Sequence, residues 1–192
     1  ICEDPRGNLW VGTHNGLNRF EEQPQRFVHY FHDPHDSTTI SSNNINSLLV
    51  DKSGALWVAT DNGFCMFDEK RNHFIRYLHA HHSVNQANVT SLYEDRSGTM
   101  WVARTERGLW RLDAARKRLE PVPVDMRLSF SIFSRSLGDA VVEDMAEDTF
   151  GFVWIGHFRG LDIYDPRTKI FSHFSIHADA SAGLGGRVGV VY

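Results

Sequence analysis

One pattern is written four times along this chain, and it limits the fold more than any other feature. Tryptophans stand at 10, 57, 101 and 154, separated by 47, 44 and 53 residues. Three residues before each is a glycine (Gly7, Gly54, Gly98, Gly151), and three before that an aspartate (Asp4, Asp51, Asp95, Asp148). Six or seven residues after each tryptophan comes a second glycine (Gly16, Gly63, Gly108, Gly160), followed by an apolar residue (Leu17, Phe64, Leu109, Leu161). Self-similarity at a period of about 40 to 50 residues marks an architecture assembled from one supersecondary unit.

Each copy reads as strands and turns. In the second copy "INSLLVD" alternates and reads as a first strand, A. "DKSG" is a tight turn, because an aspartate side chain bonds backbone N–H groups two residues on and glycine accepts the positive φ that closes it. "ALWVAT" is strand B, apolar on both faces and so covered on both sides. "DNG" carries an Asn-Gly hairpin signal; "FCMFD" and "HFIRYL" follow as strands C and D. No segment combines helical period, length and caps.

A four-stranded antiparallel meander that is apolar on both faces must be stacked between others. The expectation is an all-β protein, a β-propeller with four consecutive four-stranded antiparallel blades at about 1–40, 41–84, 85–137 and 138–186. "RVGVVY" (187–192) reads as the start of a next blade. The strand-B tryptophans are then core residues between blades, each covering on the order of 200 Å².

The wording "ED..G.LWVGT..GL.RF", with the link "HDPHDSTTISSNNINSLLVDKSG", resembles the two-component regulator propeller repeat. The likeness runs along the whole chain and loosens in copies three and four, where Arg104 and His157 replace the threonine that ends strand B. The resemblance implies part of a seven-bladed ring. It also implies a periplasmic sensor segment of a membrane-bound bacterial histidine kinase, hybrid regulator or diguanylate cyclase, with a homodimer formed through the parent protein.

Other classes fall away on composition and motif. The net charge is −4, with no basic stripe, so nucleic acid is not an expected partner. No apolar run approaches the roughly 20 residues of a membrane span, so this segment is not expected to insert. The chain opens on Ile1 inside a repeat and reads as an excerpt of a longer protein. Its two cysteines, Cys2 and Cys65, occupy non-equivalent points of their repeats and are expected to be unbridged. There is no GxSxG, HExxH or phosphate loop, and no cofactor, metal or catalytic residue is expected. "HAHH" (His79, His81, His82) and "HDPHD" (His32 to Asp36) are His-rich but read as solvated link and turn. The pairs Glu3-Asp4, Glu94-Asp95 and Glu147-Asp148 recur with the turn, which accounts for them better than acid catalysis does.

A ligand, if bound, is expected on the face carrying the B–C turns and D–A links, because loops on a rigid scaffold are where function concentrates. The B–C turns disagree: "THNG", "TDNG", "RTERG" and "HFRG". Arg104, Glu106 and Arg107, then His157, Phe158 and Arg159, bring charge and aromatic bulk to a small turn. With Asp61, Asn62 and Asn43 they form the candidate ligand site, suited to an anionic or sugar-like small molecule or an oligosaccharide. The link 125–140 is longer than the others and carries Phe130, Ile132 and Phe133, enough to cover the channel mouth or pack on a neighbour. Two further readings stand beside the sensor: a scaffold propeller for protein partners, and a propeller lyase or hydrolase.

Overall fold

The computed structural model describes residues 1–77, 88–105, 108–123, 133–134, 142–157 and 160–175. They form strands and turns, with no helix among them. The first sheet runs β1 (Cys2–Glu3), β2 (Leu9–Thr13), β3 (Gly16–Glu21), β4 (Arg26–Tyr30). The second runs β5 (Ile45–Val50), β6 (Leu56–Thr60), β7 (Gly63–Asp68), β8 (His73–Tyr77). The third contains β9 (Val89–Glu94), β10 (Met100–Arg104), β11 (Gly108–Leu112) and β12 (Leu119–Pro121). Strands adjacent in sequence are adjacent in each sheet. These are the antiparallel blades that the repeat demands.

The fourth sheet departs from the expected four strands. Beyond β14 (Val142–Glu147), β15 (Val153–His157), β16 (Gly160–Asp165) and β17 (Ile170–Ser175) it has a fifth, β13 (Phe133–Ser134), from the link that precedes it. β13 pairs antiparallel with β17 through Phe133↔Ser172 and Ser134↔Phe171. That stretch of the long link therefore covers the free edge of β17, an otherwise unpaired row of N–H and C=O groups. Most of the remaining link, and the segment 187–192, lie outside the described residues.

The A–B turn shows why aspartate, glycine and tryptophan recur at fixed spacing. In the second sheet the Gly54 N–H donates to Asp51 O at 2.8 Å and the Asp51 N–H to Ala55 O at 2.9 Å. Gly54 has φ of +86°, and its counterparts Gly7, Gly98 and Gly151 lie at +82°, +82° and +87°. Only glycine takes that conformation without strain. Asp51 Oδ1 accepts the N–H groups of Ser53 (2.9 Å) and Ala55 (3.0 Å), and Oδ2 accepts the Trp57 indole N–H (2.8 Å). The same indole-to-aspartate bond joins Trp10 to Asp4 (2.8 Å), Trp101 to Asp95 (2.8 Å) and Trp154 to Asp148 (2.9 Å).

Contacts divide the chain into two compact units, Ile1–Leu92 and Tyr93–Tyr192. In the first, Trp10, Leu17, Ile40 and Ile45 pack with Leu56, Val58, Cys65, Phe67 and Phe74, so the first and second sheets share a core. In the second, Trp101, Ala103, Leu109 and Val122 pack with Val142, Met145, Val153, Ile155, Tyr164 and Phe171, joining the third and fourth sheets. Trp101 meets Tyr164 edge-on at 4.9 Å. Trp57 is buried between Phe64 and Tyr77 of its own sheet, with ring centroids at 5.9 and 5.2 Å. Arg19 lies over Trp10, and Arg111 over Trp101, with centroid distances of 5.5 and 5.8 Å. Each arginine spreads its stem and planar head over an indole that the next sheet then covers. Cys2 and Cys65 are free, and burial pushes the Cys65 thiol up to about 12.

Replacing Trp57 or Trp101 with Ala is expected to cost roughly 3 to 5 kcal/mol, from lost burial plus the cavity left behind. Chemical denaturation of each variant measures this. A loss under about 1 kcal/mol at both positions would mean that neither indole holds the stack.

Hydrogen bonding holds the carboxyls of Asp4 and Asp148 below their usual range. At Asp4, burial alone would raise the pKa, but bonds from the Trp10 indole, the Asn8 side chain and two backbone N–H groups outweigh it. At Asp148 the Trp154 indole bond is the largest cause. A lowered folded pKa contributes stability above the unfolded carboxylate pKa of about 3.9, and that contribution is lost as pH falls through the folded value. Melting curves taken from about pH 6 down to about pH 3 should therefore fall less steeply for Asp148→Asn than for the parent sequence. Parallel curves would remove Asp148 from the acid response.

Candidate functional site

The B–C turn is built around a hydroxyl in two of the four sheets. Thr60 Oγ1 donates to Gly63 O (3.0 Å) and accepts the Asn62 N–H (3.0 Å); Thr13 does the same with Gly16 O (2.9 Å) and the Asn15 N–H (3.0 Å). Thr60 pairs with Gly63 across the turn, so Asp61 and Asn62 are its two central residues. Gly63 takes a φ of +93°, and Asn62 is not in the left-handed region. The turn is thus not the primed Asn-Gly hairpin that the "DNG" wording signals. Glycine follows the two central residues, at a position whose positive φ suits it.

The links dock onto these turns. The Gly16 N–H donates to Asn43 O (2.7 Å), and Asn43 Oδ1 accepts the His32 N–H (2.7 Å). The Asp61 N–H donates to Asn44 O (3.3 Å), and Asn62 Nδ2 donates to Ser41 O (3.3 Å). His14 Nδ1 and Asn44 Oδ1 are also bonded. Asp61, Asn62 and Asn43 are therefore drawn to one small region of the first unit. One oxygen each of Asp61 and Asn62, Oδ1 in both, is buried without a hydrogen-bond partner.

Arg104 and His157 are placed differently from the expectation. They are not exposed turn residues: they end β10 and β15 and are only 7% and 3% exposed. Strand alternation turns their side chains onto the sheet, where the Thr60 hydroxyl lies in the second copy. The Arg104 guanidinium stacks on Trp110 at 5.1 Å. His157 Nε2 lies 3.2 Å from Asp162 Oδ1, and His173 Nδ1 lies 2.6 Å from the same oxygen. Packing thus reclaims both for the interior, and an exposed Arg-His pair facing an anion is not what they form. Glu106, Arg107, Phe158 and Arg159 lie outside the described residues.

The His157–Asp162–His173 cluster spans three strands of one sheet. Asp162 pairs with His173 across β16 and β17, and with Ile155 across β15, two residues from His157. Its chemistry is that of a carboxylate orienting two imidazoles. Its side chains are 4%, 1% and 10% exposed, which removes it from direct contact with a substrate. Asp162 and His173 were missed in the sequence. The available signal was an aspartate in the strand-C column that holds Cys65 in the second copy.

The remaining polar motifs do structural work. Arg76 on β8 grips the first link, donating to Thr39 O (2.8 Å), Asp36 O (2.8 Å) and Ile40 O (3.1 Å). In "HDPHD", Asp33 Oδ1 accepts the His35 N–H (2.8 Å) and Asp36 Oδ1 the Thr38 N–H (2.8 Å), as turn aspartates do. "HAHH" lies outside the described residues. Of the paired acids, Glu94 bonds Arg116 at 2.6 Å and Glu147 accepts the Arg96 N–H at 2.7 Å. A groove of about 640 Å³ lies between turns of the first and second sheets, lined by Asp4, Ser53, Leu56, Met66, Asp68 and Lys70 among others. These belong to A–B and C–D turns and adjoining strand ends, the side away from the candidate ligand residues.

A family model described as "two component regulator propeller" matches residues 1–15, 39–62 and 83–103. The match falls on segments of three of the four copies. The matched segments hold the Asp-Gly-Trp turns of the first three sheets, the elements joined by the indole bond. No curated protein matches the sequence.

Among solved structures, the chain is similar to the extracellular domain of the hybrid two-component system BT4673 from B. thetaiotaomicron. The TM-score is 0.73 and the identity 22%, over 96% of this chain and 23% of that one. It is also similar to the extracellular domain of the hybrid two-component system BT3049 of the same organism (TM-score 0.67, 22% identity, 86% of this chain and 21% of that one). A virginiamycin B lyase from Staphylococcus aureus aligns with a TM-score of 0.60 and 13% identity, over 95% of this chain and 56% of the lyase. At these identities the likeness is one of fold. The chain spans under a quarter of the length of the B. thetaiotaomicron domains.

Proposed function

We propose that this chain is part of the extracytoplasmic, ligand-sensing propeller of a membrane-bound bacterial signalling protein with a histidine kinase or diguanylate cyclase output. The observation that carries this reading is the match of three copies to the two-component regulator propeller repeat. The fold shared with extracellular domains of two-component systems supports it. Binding, not turnover, is the role assigned to the segment. The one described cluster that combines a carboxylate with two imidazoles is shut inside a sheet stack.

The ligand is a small molecule or oligosaccharide held on the side of the B–C turns and D–A links. The framework there is rigid at Asn43, Asp61 and Asn62, each tied by backbone hydrogen bonds. Arg107 and Arg159 are the cations that the third and fourth turns contribute in the sequence. The parent protein is expected to dimerise, as sensor proteins of this architecture must to relay a signal between output domains.

Titration of the intact sensor against a carbohydrate and organic-acid library, followed by tryptophan fluorescence, tests the reading. The double substitution Arg107→Ala with Arg159→Ala is expected to weaken binding by roughly tenfold or more. Stability should stay within about 0.5 kcal/mol, as for surface changes. Unchanged affinity in the double variant would remove these turns from the site. Chemical conversion of a bound compound would replace the sensor reading with an enzymatic one.

A further inference from the structure

Two asparagines meet where successive D–A links enter their sheets. Asn46 is the second residue of β5, and Asn88 immediately precedes β9. Both lie in the first unit. β5 is the first strand of its sheet, so one of its edges has no strand beside it. The register breaks here: Ile45 pairs with Thr60 and Ser47 with Ala59, which leaves Asn46 as the extra residue of a β-bulge. A bulge re-aims a side chain and is over-represented beside functional sites. The same irregularity recurs in the fourth sheet between Val142 and Asp144, where the extra residue is Glu143. The fold keeps the bulge, while the side chain at it changes from amide to carboxylate.

The amide of Asn46 has one satisfactory orientation. Its Nδ2 donates to Asn88 Oδ1 at 2.9 Å and to Val89 O at 2.8 Å, which uses both of its hydrogens. Turned over, the amide would set its oxygen against two acceptors. Asn46 Oδ1 is therefore an acceptor held in a fixed direction. Asn88 uses its oxygen in that bond, so what it presents is Nδ2, a donor. Asn46 is exposed and Asn88 half-buried, and neither presented atom is taken by another group among the described residues.

The backbone beneath the pair is clamped. A Cβ at position 12 would stand 2.5 Å from Ile45 Cγ2, so the glycine there is what lets β5 seat against the first sheet. Just before the strand, the Ser41 and Thr60 hydroxyls share a buried bond of 2.9 Å. Groups held this way by packing and supporting bonds are preorganised for a ligand. Ile45 pairs with Thr60, which opens the turn bearing Asp61 and Asn62, so the asparagine pair stands on the ligand side of the sheet.

Resting on the sensor reading above, we propose that Asn46 and Asn88 form a ligand subsite for two neighbouring hydroxyl groups. One hydroxyl accepts from Asn88 Nδ2 and the other donates to Asn46 Oδ1. A hydroxyl can do either, and two on adjacent carbons match a donor and an acceptor set side by side. An amide pair carries no charge to offset the desolvation of an ionised group, so the groups read here are uncharged.

The test uses the intact sensor, with a library of oligosaccharides and of hydroxyl-free organic acids, binding being followed by tryptophan fluorescence. Oligosaccharides should bind. Asn88→Ala removes the donor and leaves Asn46 its bond to Val89 O, so the melting temperature should match the parent's while affinity falls about fivefold. Asn46→Ala should lower affinity at least as far. Periodate, which cleaves the bond between two hydroxyl-bearing carbons, should destroy the affinity of the bound sugar for the parent protein. Binding confined to the hydroxyl-free acids would overturn the subsite and leave the sensor reading standing. So would an oligosaccharide whose affinity is unchanged in both variants. A sensor that binds nothing in the library would overturn both readings together.

Discussion

The hydrogen bond from a tryptophan indole to an aspartate six residues earlier holds each blade of this protein in register with its own turn. One carboxylate does three things at once. Through Oδ1 it accepts backbone N–H groups that the tight turn leaves unsatisfied. Through Oδ2 it accepts the only polar group of a side chain that must otherwise be buried among apolar neighbours. A buried indole N–H without a partner would cost about 1 to 3 kcal/mol, and a bond to a charged acceptor is worth about 1.5 to 3. The tryptophan can therefore go fully into the interface between sheets. The sheet it enters then needs an apolar column to receive it, and stacking follows.

This dependence explains why so much of the fold was legible in the sequence. Asp, Gly and Trp at fixed spacing are the parts of one local device, and glycine is demanded by φ near +85° at all four turns. A device that satisfies itself within seven residues leaves a mark that a single sequence can show. The fifth strand of the fourth sheet was not legible, because it depends on where a link returns rather than on a local pattern. The alternation Leu128-Ser129-Phe130-Ser131-Ile132 stands just before Phe133 and Ser134, but nothing in it says which sheet edge the link meets. The "DNG" wording points to a turn centred on Asn62 and Gly63, whereas Thr60 pairs with Gly63 and the turn centres on Asp61 and Asn62, with the Thr60 hydroxyl bonded at both its ends.

The candidate site was legible only in part. Asn43, Asp61 and Asn62 do come together, because links and turns on one side of a blade must bond each other's backbone groups. Arg104 and His157 looked like ligand residues since they break a pattern in a variable turn. Their place at the end of strand B decided otherwise. Side chains there alternate onto the sheet, and a large polar residue at that point is buried with a partner: Trp110 beneath the guanidinium, Asp162 beside the imidazole. Departure from a repeat marks a difference between blades; which face the residue takes decides whether the difference meets solvent.

The two ends of each sheet are under unequal constraint. At the A–B end, the same aspartate, glycine and tryptophan recur in every copy, since any change breaks a bond on which the stack rests. At the B–C end, the column closing strand B reads Thr13, Thr60, Arg104 and His157, and its strand-C partner reads Asn18, Cys65, Trp110 and Asp162. Each set finds a different local solution: hydroxyl to turn, guanidinium on indole, imidazole on carboxylate. Blade packing needs only that this column be filled, so its chemistry is free to vary. The fold thereby secures its stability at one end of the blade and leaves the other to diversify. On a repeat scaffold that is where recognition can change from blade to blade without loosening the stack.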